Sequence, residues 1–529
     1  MMTKIYGQSA QTLVWLGEQD GMDVHNAFTT ICDIINQWDE SVNATYKMDG
    51  ENSYQKNNSP LHDEDIVPDW KRMRLLNDLF AARWFHRRWV IQEVVLSHSA
   101  TVFCRNFAIS WEWVGLAAAI VRTTFRRSAD QGLLNAYLIY RLGQHGTLEP
   151  ANLTFLQLLR LAADFETWEP RDAVYALLGI RTKDNDPDHA PFLVADYSIS
   201  EKELNHAVFM RSRDTSFPLS ILSSANQIRN PYASEECTSI VPSWLPQWKN
   251  KSTAAIICPW STDAYFTPGK GLEISPMPDI CGDTLNAYGL EVSMVSFRSK
   301  IIQQTEYIDA DILSDADTSH MTVQNIISLL SRTLTAGRNE YGGIALDQNQ
   351  FLADCAAAFS SQAKYHGHRI GNLDLELIIS TVNNLSAGGD LKRFFTVVHQ
   401  VCPGRLLFLT TSGHLGLGPT NTVAGDRLCI LAGHKMPVIL RPCPSGYIFV
   451  GDCYVDGIMW GEAVAAFKEG RAHLGPLGQS TAIPSLKYFP IDEDKREMVE
   501  AAARGFVEDT LRKARERYEK PRETTFSIV

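Results

Sequence analysis

The chain has 529 residues, enough for two to four domains. Apolar residues make up 45% and charged residues 21%, a globular balance that excludes a disordered or fibrous chain. The net charge of -12 is spread along the sequence without a long basic run, which argues against nucleic acid and acidic membranes as partners. None of the ten cysteines has C-x-x-C spacing, so a zinc ribbon or thioredoxin-type site is not expected. The start, MMTKIYGQSAQTLVWLGEQD, has neither a signal-length apolar run nor an Arg-rich amphipathic pattern. No stretch approaches the 18 apolar residues of a membrane span, so the expectation is a cytoplasmic protein with reduced thiols.

TLVWL at 12–16 is rich in β-formers and stops at Gly17, which predicts a buried strand. Val24, Phe28, Ile31, Ile34 and Ile35 recur at helical spacing and predict a helix over 23–37. Residues 40–68 are polar and predict a surface loop. Helical pattern returns over 70–98, ATVFC at 100–104 predicts a strand, and WEWVGLAAAIV at 111–121 predicts a helix. Strand and helix thus alternate, the pattern of an α/β layer, and the crossover rule pairs 12–16 in parallel with 100–104.

Residues 126–180 read as helical. A further helix begins at Ser200, where Ser200 and Glu203 have capping-box spacing. The stretch 225–283, with VPSWLPQW at 241–248, reads as irregular packed chain, and 284–300 as one or two strands. Helices follow at 320–336, 349–363 and 388–401. From Gly404 short apolar runs split by Gly, Pro and Asp predict an antiparallel sheet or small barrel. Residues 491–518 predict a charged closing helix. The expected domains are therefore 1–125 (α/β), 126–283 (helical and irregular) and 284–529 (mixed, mostly β near its end).

The run W84-F-H-R-R-W-V-I-Q-E-V-V-L96 reads as an apolar helix with one carboxylate, Glu93, set into it. Trp89 and Val90 flank Glu93 at i-4 and i-3, and neither Lys nor Arg stands at i±3 or i±4. Desolvation there should raise the Glu93 pKa, which suits acid/base or charge-stabilising chemistry. A tertiary ion pair or hydrogen bond is the competing reading. GHLGLG at 413–418 lacks a following helix and a Lys-Ser/Thr, so it reads as a hairpin rather than a phosphate loop. Asp172, after Pro170 and Arg171, reads as a helix cap or dipole partner. His86, His98 and His145 show no ligand spacing, and Cys453 and Asp456 have no evident base nearby.

VWLGE at 14–18, FHRRWVIQEVVLS at 85–97 and PRDAVYALLGI at 170–180 resemble successive signature blocks of the fungal heterokaryon-incompatibility (HET) domain proteins. VADYS at 194–198, SWLPQW at 243–248 and three runs between 404 and 463 resemble later regions of the same proteins. That family opens with two strand blocks and a helix ending near M-x-x-IY. Met2–Tyr6 matches only this helix end, so the resemblance implies a chain that starts inside the HET domain. The HET domain in turn resembles the Toll/interleukin-receptor (TIR) fold, implying a partial TIR-like doubly wound sheet. In TIR enzymes that split NAD, a helix carries a Trp and, four residues later, a Glu that acts on the ribose bearing nicotinamide. Trp89 and Glu93 match those positions.

The leading expectation from the resemblance is a protein of fungal non-self recognition and cell-death signalling that works through protein contacts, without a cofactor. One alternative is an accessory or catalytic protein of a secondary-metabolite cluster. Another is NAD cleavage, with NAD as ligand and Glu93 as catalytic residue. The strand at 12–16 is expected at an uncovered sheet edge, where another copy could pair.

Overall fold

The computed structural model describes residues 2–18, 22–49, 70–124, 130–143, 150–213, 217–225, 241–248, 266–274, 278–303, 322–339, 347–366, 375–444, 446–469, 473–474 and 480–481. The chain divides into two compact units, one reaching Ile199 and one beginning at Ser200.

The first unit opens with α1 (Met2–Gly7) and β1 (Thr12–Trp15). β1 alternates buried Thr12 and Val14 with exposed Leu13 and Trp15, so only one of its faces meets the core. α2 (Val24–Asp49) starts where the Asp23 carboxylate accepts the Asn26 amide, and it buries Phe28, Ile31, Ile34 and Ile35. It runs through 40–49, where sequence pattern predicts loop; the rest of that loop, 50–68, lies outside the described residues. α3 (Trp70–Phe80) and α4 (Val90–Val95) lead to β2 (Ala100–Cys104), which pairs in parallel with β1, Val14 opposite Val102. β3 (Phe107–Ser110) returns antiparallel to β2 through Arg105, whose φ of 50° closes the tight turn. The described sheet has the order β1-β2-β3, with β1 at an edge as expected.

The stretch 84–97 is not one helix. A 3-10 turn covers Arg83–His86, Arg87 is extended, and α4 begins only after Trp89. The break has a tertiary cause. Arg87 forms a parallel bridge with Glu166, in which the Arg88 amide donates to Glu166 O and the Glu166 amide to His86 O. These bonds satisfy backbone groups that a continuous helix would have used internally.

α5 (Trp111–Thr124), α6 (Gln131–Leu142), α7 (Phe155–Leu161) and the single turn α8 (Asp172–Tyr175) complete the unit. Residues 144–149, with His145, lie outside the described residues.

The second unit opens with α9 (Glu201–Arg211), started by the Ser200–Glu203 capping box that the spacing predicts. A short hairpin, β4 (Asp279–Cys281) with β5 (Thr284–Asn286), precedes the ten-residue β6 (Gly289–Arg298). Four helices follow: α10 (Val323–Thr335), α11 (Gln348–His366), α12 (Leu375–Leu385) and α13 (Leu391–Val401). α12 is not evident in the periodicity. Then come β7 (Arg405–Thr410), β8 (Leu415–Pro419), β9 (Arg427–Leu431), β10 (Pro437–Cys443), β11 (Gly446–Asp452), β12 (Tyr454–Val455) and α14 (Glu462–Lys468). The strands form one seven-stranded antiparallel sheet of order β11-β10-β9-β6-β7-β8-β12.

Both faces of this sheet are covered. Leu407, Leu409 and Leu417 pack with Ile326, Leu330, Phe359, Phe394 and Val398 of the helices. The alternate residues Leu406 and Phe408 join Val292, Ile430, Ile439 and Val455 in a second cluster. The predicted closing helix at 491–518 lies outside the described residues.

Candidate functional site

Glu93 stands in the first turn of the six-residue α4 and is half-buried. Desolvation pushes its carboxyl above the usual carboxylate range. The charge of Arg87 and a hydrogen bond from the Trp84 indole act in the opposite direction and do not cancel it. Both partners come from the segment just before α4, beyond the i±3 and i±4 positions that helical spacing inspects. Tyr6 of α1 faces the same group: burial and the Glu93 charge raise its phenol, and Arg87 lowers it. The structure thus brings Glu93 together with Trp84, Arg87 and Tyr6.

Trp89 is joined to Glu93 through the backbone, the Glu93 amide donating to Trp89 O at 3.3 Å. Its indole is committed elsewhere, with Nε1 donating to Asp172 Oδ2 at 3.0 Å. Asp172 Oδ1 accepts the Tyr197 hydroxyl at 2.6 Å. Asp172 stands in the first turn of α8, where the dipole reading places it, but it is not the cap: Arg171 holds the N-cap position and makes no side-chain capping bond, and the Asp172 carboxylate serves as a tertiary acceptor. Burial, followed by the Asp172 hydrogen bond and charge, raises the Tyr197 phenol well above its ordinary value. Arg171 donates to Glu169 at 2.7 Å and to the carbonyls of Tyr197 and Ile199 at 2.6 and 2.9 Å.

Beside this relay lies Arg88, 1% exposed. Its guanidinium donates to the carbonyls of Ala173, at 2.5 Å, and Ala162. Burial lowers its pKa to about 10, so it stays charged at neutral pH. A planar fork with several donors suits this task in a way that an ammonium does not. Arg88 does not stand out in the sequence, because an arginine used to bind backbone carbonyls leaves no mark in spacing.

The remaining sequence candidates have structural uses. In GHLGLG, Gly416 of β8 faces Phe408 of β7, and an added Cβ would lie 2.3 Å from the ring. The glycines make room for an aromatic ring, and the segment is the predicted hairpin. Asp456 pairs with Arg332 at 2.8 Å, and Cys453 is fully buried with its thiol pushed far up by desolvation. His86 lies against Gly132, and His98 is exposed.

Two polar centres in the second unit have no motif signal. The His434 ring, 1% exposed, bonds Leu219 O through Nδ1 at 2.7 Å and Asp452 through Nε2 at 2.8 Å. At the β7–β8 turn, Ser412 Oγ lies 2.9 Å from His414 Nδ1 and donates to Ser293 Oγ at 2.7 Å. Burial lowers His414 to about 4. Among the described residues no group of three or more His, Cys, Asp or Glu could hold a metal ion. Nor is any described helix long and apolar enough to cross a membrane.

Residues 1–93 match the family described as heterokaryon incompatibility protein (HET), a match that ends on Glu93. Residues 377–473, from α12 to the start of the chain beyond α14, match the Het-6 beta-barrel domain. The first unit thus carries a match to the HET domain and the second unit a match to the Het-6 beta-barrel domain. It is similar to Heterokaryon incompatibility protein 6, OR allele, of Neurospora crassa, with 38% identity over 63 residues. That match takes in 11% of this chain and 9% of the relative, so it spans about a tenth of either protein. No solved structure matches the chain.

Proposed function

We propose that this protein acts in fungal non-self recognition, taking part in heterokaryon incompatibility and the associated cell-death signalling through protein contacts. The observation that carries this reading is the order of two domains, HET first and Het-6 barrel second, in one chain. The named relative acts, by its name, in heterokaryon incompatibility. The signature residues Arg88, Trp89 and Asp172 are engaged with one another's segments, which gives them a use in holding the first unit together. A direct test is to express the chain in a fungal strain and score heterokaryon formation and cell death against an empty vector. Unchanged compatibility with every tester strain would sink the proposal.

A second reading, NAD cleavage on a TIR-like scaffold, rests on Glu93. Its raised carboxyl suits stabilisation of an oxocarbenium-like transition state as nicotinamide leaves. The parallel β1–β2 pair is compatible with a doubly wound layer. Nicotinamide release from NAD by the purified chain, abolished in Glu93→Gln, would establish it.

A further inference from the structure

Residues 194–199 are the last of the first unit and lead directly into α9 of the second. Val194 is 78% exposed and Tyr197 51%, so apolar burial contributes little to holding this strap. Polar anchors hold it instead. Tyr197 donates to Asp172 Oδ1, Arg171 binds the carbonyls of Tyr197 and Ile199, and the Tyr175 hydroxyl donates to Asp196 O at 2.6 Å. The Arg171 guanidinium also lies 5.4 Å from the Tyr197 ring centroid. Inside the strap, Asp196 Oδ1 accepts the amide and hydroxyl of Ser198, which keeps the segment preformed as a turn.

We infer that 194–199 is a releasable latch at the end of the first unit, closed by Tyr197 on Asp172 and by Arg171 on the strap carbonyls. A segment anchored by a few exposed and part-buried hydrogen bonds, with little apolar burial, opens without unfolding the core beneath it. Opening adds six residues, about 20 Å of extended chain, to the connection into α9. It also frees one oxygen of Asp172 and the Arg171 Nη1, beside an indole whose N–H Asp172 still holds. The closed latch thus masks a carboxylate–guanidinium pair; the open latch offers both to a partner. This inference goes beyond the proposed function and makes no use of Glu93.

The test is limited chymotrypsin digestion of the full chain. Tyr197→Phe removes the hydroxyl but keeps an aromatic cleavage site at 197, so rates compare directly once normalised to the unfolded protein. Loss of a hydrogen bond to a charged acceptor should speed cleavage after 197 roughly tenfold or more. Arg171→Gln, which removes the carbonyl anchors, should act in the same direction. Trypsin cleavage at exposed Arg181 and the thermal midpoint should stay unchanged. Unchanged cleavage at 197 in both variants, or a parallel rise at Arg181, would overturn the latch.

Discussion

The Trp89 indole donates to the Asp172 carboxylate at 3.0 Å across 83 positions of sequence. This bond and the Arg88 bonds to the carbonyls of Ala162 and Ala173 join two blocks that look independent in the sequence. The FHRRWVIQE block supplies donors, and the PRDAVYALLG block with its approach supplies acceptors. Several testable consequences come from this arrangement and from its counterparts in the barrel.

Arg88→Met should destabilise the first unit by about 3 kcal/mol, because buried carbonyls lose their donor while some desolvation cost is relieved. Arg88→Lys should recover only part of the loss, since an ammonium cannot span the same carbonyls. Denaturant unfolding of the full chain measures both. Equal stability of Arg88→Met and wild type would contradict the assigned role.

Glu93 gives a pH-dependent expectation. Its folded carboxyl is raised by desolvation, so the folded state holds the proton more readily than the unfolded state. The associated stability is complete below the ordinary value of 4.5 and is lost as pH rises through the folded value. Glu93→Gln should therefore match wild type at acid pH and be the more stable protein at neutral pH. Thermal midpoints across the range check the sign. A variant less stable at neutral pH would show that the Arg87 and Trp84 contacts outweigh desolvation.

His414 has the opposite sign. Its folded value, about 4, lies below the ordinary 6.5, so the folded state resists protonation. Stability from this group is complete above 6.5 and is lost as pH falls toward 4. Acid scans of the barrel's unfolding should show this loss, and His414→Gln should flatten it.

Gly416→Ala should cost about 2 kcal/mol, because the new methyl meets the Phe408 ring in a packed sheet. Phe408→Ala should cost about 3–5 kcal/mol alone. The double variant should be clearly less destabilised than the sum, since each change relieves the other. Strict additivity in denaturation would show that the two residues do not share this space.

Much of the architecture was legible because it rests on local pattern. The β1–β2 pairing comes from two short apolar runs and the crossover rule, α2 from the spacing of Phe28, Ile31 and Ile35, and α9 from Ser200 and Glu203. The split at Arg87 was not legible, since its cause, Glu166, lies 79 positions away by number and carries no periodic mark. β3 was missed because FAIS is only four residues long and follows a non-glycine turn at Arg105. In the site, Glu93 and Trp89 stood out from their apolar neighbours. Asp172 was legible as a helix-start acid, cap or dipole partner, but its long-range acceptor role was not, because the two look the same in sequence.

The place of β6 in the sheet bears on how the protein is made. β6 is flanked by β9 and β7, yet β7 begins at Arg405, more than a hundred residues after β6 ends at Arg298. During synthesis β6 emerges long before either neighbour, at about 5–20 residues per second some 5–20 s early. Its buried residues Leu290, Val292 and Val295 stay unpaired for that interval. The helices α10 to α13 emerge within it. The sheet therefore assembles late around its oldest strand, and a nascent chain stalled before Arg405 carries an aggregation-prone ribbon that a holdase chaperone would recognise.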